Sequence, residues 1–536
     1  MGTPKPAAPL PRYLPDRITI AIAALFALAA GAAQVVDPFS DAAIQNILTL
    51  IFGFFACFSL MVWFVGFSSY ARGLRFGSVA VIVGGIAVFF VFNRIERVSG
   101  TLIPQFRSRF APPRDATLAK VETKPSEQDE KVDLKTTTEN DFPQFLGPDR
   151  DLVLKDVQLE RDWNQHPPML VWRQPIGAGW SAFSVVNGYA VTLEQRGEEE
   201  LVTCYAVKTG HPVWSHSEAG RHSTILGGAG PRSTPTIHEG RVYAVTALGI
   251  LLCLEGETGK PVWRVDLLEK FGTDRATDAA DVSWGRAGSP LIVDDMLIIP
   301  AGGPPGKAAS LAAFKFEDGS LVWKGGDTQI SYASPVLATI GGVRQILSVN
   351  ESNATGHDVK TGEVLWSVEW PGDSSANASA SQPQIFHKNH VLLSKGYSTG
   401  AKVVELSLAG DKFEASEVWA STRVLKTKFT NAAILDGYAY ALSDGLLECV
   451  NLENGKPAWR GKRYGQGQIL AAGDALLVMT ENDGDVVMVD ASPKKFVELG
   501  RFPAIEGQTW NNLCLAGKYL LVRNSQEAAC FELKWR

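Results

Sequence analysis

GRVYAVTALGILLCLEGETGKPVW, residues 240–263, contains three strands and two turns in close succession. Val242–Thr246 reads as an alternating strand, Ala247–Gly249 breaks it, and Ile250–Leu254 is apolar throughout. Thr258-Gly259 then turns the chain into a strand that reaches Trp263. GYAYALSDGLLECVNLENGKPAW (437–459) repeats the plan, with Asp444-Gly445 as its hairpin signal. Working outward, related steps end at Trp214 (KTGHPVW), Trp323 (EDGSLVW) and Trp366 (KTGEVLW). A degenerate SEVW reaches Trp419, and KKFVELGRF brings Phe502 to the same role. LVW at Trp172 opens the series without a preceding turn, which makes eight anchors spaced 40 to 60 residues apart.

A further strand precedes each unit, commonly after Ser/Thr-Pro, as at Thr234-Pro235, Ser289-Pro290 and Ser334-Pro335. Four short antiparallel strands in a repeat of this length are the arithmetic of a propeller blade. Trp172 lacks upstream strands and Tyr519–Leu533 lacks a downstream one, so pairing them closes the ring and removes the last free edge. The sequence therefore predicts an all-β, eight-bladed β-propeller over 141–536.

The phrases EGETGKPVW, VKTGEVLW and YAVKTGHPVW resemble the repeat of pyrroloquinoline-quinone (PQQ)-type propellers. DFPQFLGPDRD (141–151), GPRSTPTIHEGRVYA, SYASPV and GGVRQ resemble a BamB-like branch of them. The resemblance covers about 141–536. It implies the fold, and it leaves two classes of activity open, quinoprotein dehydrogenases and non-catalytic scaffolds. A dehydrogenase of this kind implies PQQ with Ca²⁺ held by carboxylate or amide ligands, an Asp base, an aromatic floor, and often a disulfide lid between adjacent cysteines.

Ahead of the repeats, Ile18–Val36, Ile44–Phe67 and Phe76–Phe92 carry no charge and read as three membrane helices. Lys5, Arg12 and Arg17 flank the first run, the first loop holds Asp37 and Asp41, and the second holds Arg72 and Arg75. That bias puts the N-terminus in the cytoplasm and the propeller outside it; the resemblance implies a bacterium, with the helices in its inner membrane and the propeller in the periplasm. Arg94, Arg97, Arg107 and Arg109 follow the third run and oppose the bias, but early helices dominate orientation. Residues 100–140, with the charge-dense KPSEQDEKVDLK (124–135), read as a polar tether.

A net charge of −6 gives no footprint for nucleic acid, and no C-x-x-C occurs, which excludes paired-thiol zinc and c-type haem sites. No Cys-Cys dipeptide supplies a lid. Cys204, Cys253, Cys449 and Cys530 share one repeat position, which argues for packing, Cys57 lies in a membrane run and Cys514 in an apolar strand. Asp318, Asp444 and Glu453 fall in hairpin turns, ENDGDVV (481–487) lacks the spacing of a calcium loop, and His387 and His390 sit in a polar turn.

Aromatics that break the repeat are the better candidates. Trp180, Trp284, Tyr332 and Trp510 come just before innermost strands, and Arg232 and Lys428 occupy comparable places. In a radial array such positions meet at one mouth of the channel, where they either line a pocket for a planar or anionic ligand or plug the channel. The leading expectation is a membrane-anchored binding or scaffold propeller with protein partners, BamB-like in envelope protein assembly. The alternative is a PQQ- and calcium-dependent dehydrogenase of an alcohol or sugar.

Overall fold

The computed structural model describes residues 11–36, 41–121, 131–304 and 306–536; Lys5, Asp37 and residues 124–130 lie outside them. The chain divides into two units at Pro112/Pro113. In the first, α1 (Arg17–Val36), α2 (Ala42–Gly66) and α3 (Arg72–Phe92) are each long and apolar enough to cross a membrane. The Asp41 carboxylate caps α2 by accepting from the Ala43 N–H at 2.8 Å. Phe26 of α1 stacks on Phe55 of α2, and most other apolar side chains point outward, as lipid contact requires. After α3, Asn93–Val98 and Pro104–Ser108 pair as an antiparallel hairpin.

The second unit is an eight-bladed propeller. Seven blades are built from consecutive strands, and the eighth joins the two ends of the repeat region. Met169–Pro175 pairs with Glu527–Glu532, so the Trp172 strand completes the last blade. The innermost strands are Ser184–Val186, Thr236–His238, Leu291–Val293, Val336–Ile340, Gln384–Phe386, Ala433–Leu435, Gln468–Ala472 and Cys514–Ala516.

The Thr/Asn/Asp-Gly…Trp signature has a physical cause that spans two blades. The indole of Trp214 donates to the Gly256 carbonyl of the next blade at 2.8 Å, and its ring lies on Gly259. Gly259 has φ +69, and a Cβ there would overlap the indole, so the position excludes side chains twice over. Trp172 on Gly210, Trp263 on Gly319, Trp323 on Gly362 and Trp419 on Gly455 repeat the contact. Two anchors depart from it. Trp366, because blade five has a long hairpin in place of that turn, donates within its own blade to Gln345. Trp459 donates to the Ser492 carbonyl of the next blade at 2.8 Å, with Phe496 rather than a glycine against its ring. Cys204, Cys253, Cys449 and Cys530 stand directly opposite Trp214, Trp263, Trp459 and Trp172 across the strand pair, where a bulky neighbour would compete with the indole.

Near the axis, backbone N–H groups of one blade bond side chains of the next. Ala182 donates to Thr234 Oγ1 (3.1 Å), Thr234 to Ser289 Oγ (2.9 Å), Ser289 to Ser334 Oγ (3.0 Å) and Gln382 to Asn431 Oδ1 (2.7 Å). Asn511 Nδ2 carries the girdle from blade eight to the Ser181 carbonyl at 2.8 Å. The stretch 142–152 crosses the hub. Phe142 bonds Val185, Ile237 bonds the Pro143 carbonyl, Arg150 reaches Ser289 and Pro290, and Leu152 accepts from Ala471. Three non-glycine residues take left-handed backbone here, Leu146, Arg150 and Leu152.

Other segments depart from a bare propeller. Between blades two and three, α4 (Leu267–Phe271) and α5 (Arg275–Asp281) start at the N-caps Asp266 and Asp274. The buried pair Asp278–Arg286, 2.6 Å apart, pins α5 down. Parts of the polar stretch at 100–140 also lie against blades. Asp115 is buried, pairs with Arg221 at 2.5 Å and accepts from the Gly197 N–H. Val132 and Leu134 join the core shared by blades one and two.

Candidate functional site

The loops entering the innermost strands converge on one cleft of about 100 Å³. Its lining includes Trp180, Arg232, Trp284, Tyr332 and Trp510, together with Phe145, Leu226, Ser334, Phe429, Asn431 and Asn512. The structure thus brings five of the six residues singled out in the sequence to one mouth. Lys428 is not among them. It is buried away from the cleft, 3.3 Å from Asp444 and over the Tyr397 ring. Its neighbour Phe429, in the same bend, takes the mouth position.

The rings pack mainly on one another. Trp180 and Phe429 each lie 4.7 Å from Trp510, and Trp284 stacks on Tyr332 at 5.0 Å and 15°. Three polar tips are tied down: Trp180 Nε1 donates to the Gly227 carbonyl (2.7 Å), Trp510 Nε1 to Glu481 (3.0 Å), and the Tyr332 hydroxyl to the Ser374 carbonyl (2.5 Å). Burial raises the Tyr332 hydroxyl well above the ordinary phenol range.

Arg232 donates to the carbonyls of Gly227, Gly228 and Gly230, bracing the short hairpin that carries Ile225 and Leu226 to the rim. Burial pulls its guanidinium down to about 10. Two buried groups lie within its field. The Glu200 carboxyl is pushed up to about 8 by burial; one oxygen accepts from the Ala247 N–H at 2.7 Å and the other has no partner among the described residues. His222 is held down to about 3 by burial and by Arg232, and stays neutral. Sequence reading missed Phe145, Phe429, Asn431 and Glu200, because none stands out by type and only the closed ring brings them together.

A PQQ group with its bridging ion does not fit these residues. A cleft of about 100 Å³ is well below the roughly 300 Å³ at which pockets for multi-ring ligands begin. Trp284 and Tyr332 touch face to face, leaving no slot between them for a third plane. Among the described residues no three His, Cys, Asp or Glu side chains gather to hold a metal. The nearest carboxylates are committed, Glu481 to Trp510 and Gln466 and Asp444 to Lys428 and Gln466. All five propeller cysteines are free and buried, and burial pushes the thiols of Cys253, Cys449 and Cys530 up to about 11, 12 and 12.

Comparison with known proteins agrees with the fold. An outer membrane protein assembly factor BamB from Moranella endobia is 22% identical over 269 residues, 48% of this chain. The matched part spans 64% of that relative's length. Among solved structures, the quinohemoprotein alcohol dehydrogenase from Comamonas testosteroni superposes with a TM-score of 0.52 at 13% identity, over 73% of this chain and 80% of its own. Quinohemoprotein alcohol dehydrogenase ADHIIG from Pseudomonas putida HK5 gives 0.52 at 13% identity, over 78% and 83%. At such identities these two show a shared propeller and nothing of its chemistry. Residues 198–461 and 339–497 match the family described as outer membrane protein assembly factor BamB (PQQ_2), and across more than half its length this chain belongs to that family.

Proposed function

We propose that the chain is a membrane-anchored propeller that binds and scaffolds rather than catalyses, with α1–α3 in the inner membrane and the propeller in the periplasm. The observation that carries this reading is the mouth. Its rings pack on one another, the remaining cleft is about 100 Å³, and none of the described residues lining it is an Asp or Glu. Similarity to a protein named as an outer membrane protein assembly factor supports protein partners and a role in envelope protein assembly. The anchor supports residence at the membrane where such partners pass.

The test is titration of the full chain in detergent with PQQ, with and without Ca²⁺, followed by tryptophan emission and by reduction of an electron-accepting dye with alcohols or aldose sugars. The expected result is no saturable PQQ binding and no dye reduction above buffer. Saturable, calcium-dependent binding with dye reduction would establish the dehydrogenase instead.

A further inference from the structure

The mouth holds polar groups that the fold leaves unused. Asn431 is buried; its Oδ1 is taken by the Gln382 N–H, and its Nδ2 donates to nothing among the described residues. Ser334 accepts from the Ser289 N–H through an Oγ whose own hydrogen has no acceptor there. Arg232 uses its two terminal nitrogens on main-chain carbonyls, while its Nε–H is uncommitted and no carboxylate pairs with it. Asn512, also in the lining, leaves its Oδ1 unpartnered among the described residues, so three donors, one of them cationic, outnumber one open acceptor in a cleft otherwise walled by Trp180, Trp284 and Phe429.

Donor-rich surroundings with aromatic walls select an acceptor-rich, flat guest. The charge of Arg232 selects an anion, because Glu200, the nearest acid in its field, stays protonated at neutral pH. Size limits the guest further. A closed apolar cavity of about 150 Å³ holds one benzene, so a cleft of about 100 Å³ open at the rim takes a carboxylate and part of one ring.

We infer that the mouth binds a small monocarboxylate with a flat apolar tail, its carboxylate held by Arg232, Asn431 and Ser334 and its tail against Trp180, Trp284 and Phe429. The inference rests on the reading of the mouth as a binding site without redox chemistry, and it adds the class of ligand. Leu226, at the rim and 45% exposed, closes over the tail.

Benzoate is the probe and benzamide its uncharged isostere, both titrated by calorimetry into the full chain in detergent, with tryptophan emission as a second readout. Benzoate gives a saturable, one-site signal, and benzamide binds at least tenfold more weakly, as loss of a charge-assisted hydrogen bond dictates. Arg232→Gln lowers benzoate affinity at least tenfold. Asn431→Asp keeps the acceptor for Gln382 and turns a donor into a negative charge, so it abolishes binding without disturbing the girdle. Both variants are compared at equal melting temperature, and the benzoate–benzamide pair needs no variant at all. Acetyl-Gly-Gly-Phe offers ring and carboxylate on a chain; weaker binding than benzoate fits a free acid, whereas tighter binding reassigns the site to polypeptide ends. Equal binding of benzoate and benzamide, or none of either below 10 mM (about 3 kcal/mol of affinity), overturns the inference. A failure here with PQQ also unbound leaves the scaffold reading standing, whereas calcium-dependent PQQ binding removes that reading itself.

Discussion

Glu200→Gln should make the propeller more stable as pH rises, and the size of the effect follows from where the carboxyl sits. Glu200 is 3% exposed, with one oxygen on the Ala247 N–H and the other unpartnered among the described residues. Burial moves it from an ordinary 4.5 to about 8. Below 4.5 the acid is protonated folded or unfolded and adds no pH dependence. Between 4.5 and about 8 the unfolded chain loses this proton while the folded chain keeps it, so folding stability falls as pH rises. At 1.36 kcal/mol per pH unit the loss has a ceiling of about 5 kcal/mol by pH 8, and solvent relaxation reduces it to roughly 2–4 kcal/mol. Glutamine keeps the acceptor for Ala247 and cannot ionise, so the variant removes this loss. Urea unfolding followed by tryptophan emission at pH 5 and pH 8.5 measures both chains. The variant should match the wild type within about 1 kcal/mol at pH 5 and exceed it by roughly 2–4 kcal/mol at pH 8.5. A constant difference at the two pH values would refute the assignment of a protonated Glu200.

Three further outcomes follow from packing and topology. Gly259→Ala, which drives a methyl into the Trp214 ring at φ +69, should cost about 3 kcal/mol; Gly188→Ala, at φ +80 with open space around it, should cost about 1 kcal/mol. Equal losses in urea titrations would mean that the indole contact adds nothing to the backbone constraint. Asp115→Ala leaves Arg221 unpaired and should free residues 113–121 for limited proteolysis while propeller stability changes by less than about 1 kcal/mol; unchanged cleavage would show the segment is held by something else. Reporter fusions placed after Asn140 should be active only in the form that works outside the cytoplasm, and activity in the cytoplasmic form would put the propeller in the cytosol.

Much of the fold was legible because its signature is local. A turn glycine and the Trp of the same blade lie a few residues apart, although each contacts a different neighbour, so one short phrase reports two interfaces. The closing blade was legible for a different reason: an orphan strand at each end of the repeat has only one partner that removes both edges. The two helices between blades were not legible, since LLEKF and RATDAAD are too short to show a helical period and rest on their caps. The hub crossing at 142–152 escaped for want of any repeat, its contacts, including the Gln382 amide on the Arg150 carbonyl, being scattered over five blades. At the mouth, bulky aromatics before innermost strands were readable, but their facing was not. A single residue of register separates Phe429 in the cleft from Lys428 on Asp444.

The pairing of Met169–Pro175 with Glu527–Glu532 also sets a timetable for the nascent chain. Met169–Pro175 must wait, unpaired, until Glu527–Glu532 has been synthesised. Until then the molecule is an open arc with a raw edge at each end, competent to pair with any extended polypeptide nearby. Maturation is therefore gated by the strand Glu527–Glu532: a chain lacking it carries every other blade and still cannot finish. Such a product would be handed to proteases rather than survive as a slightly weakened propeller.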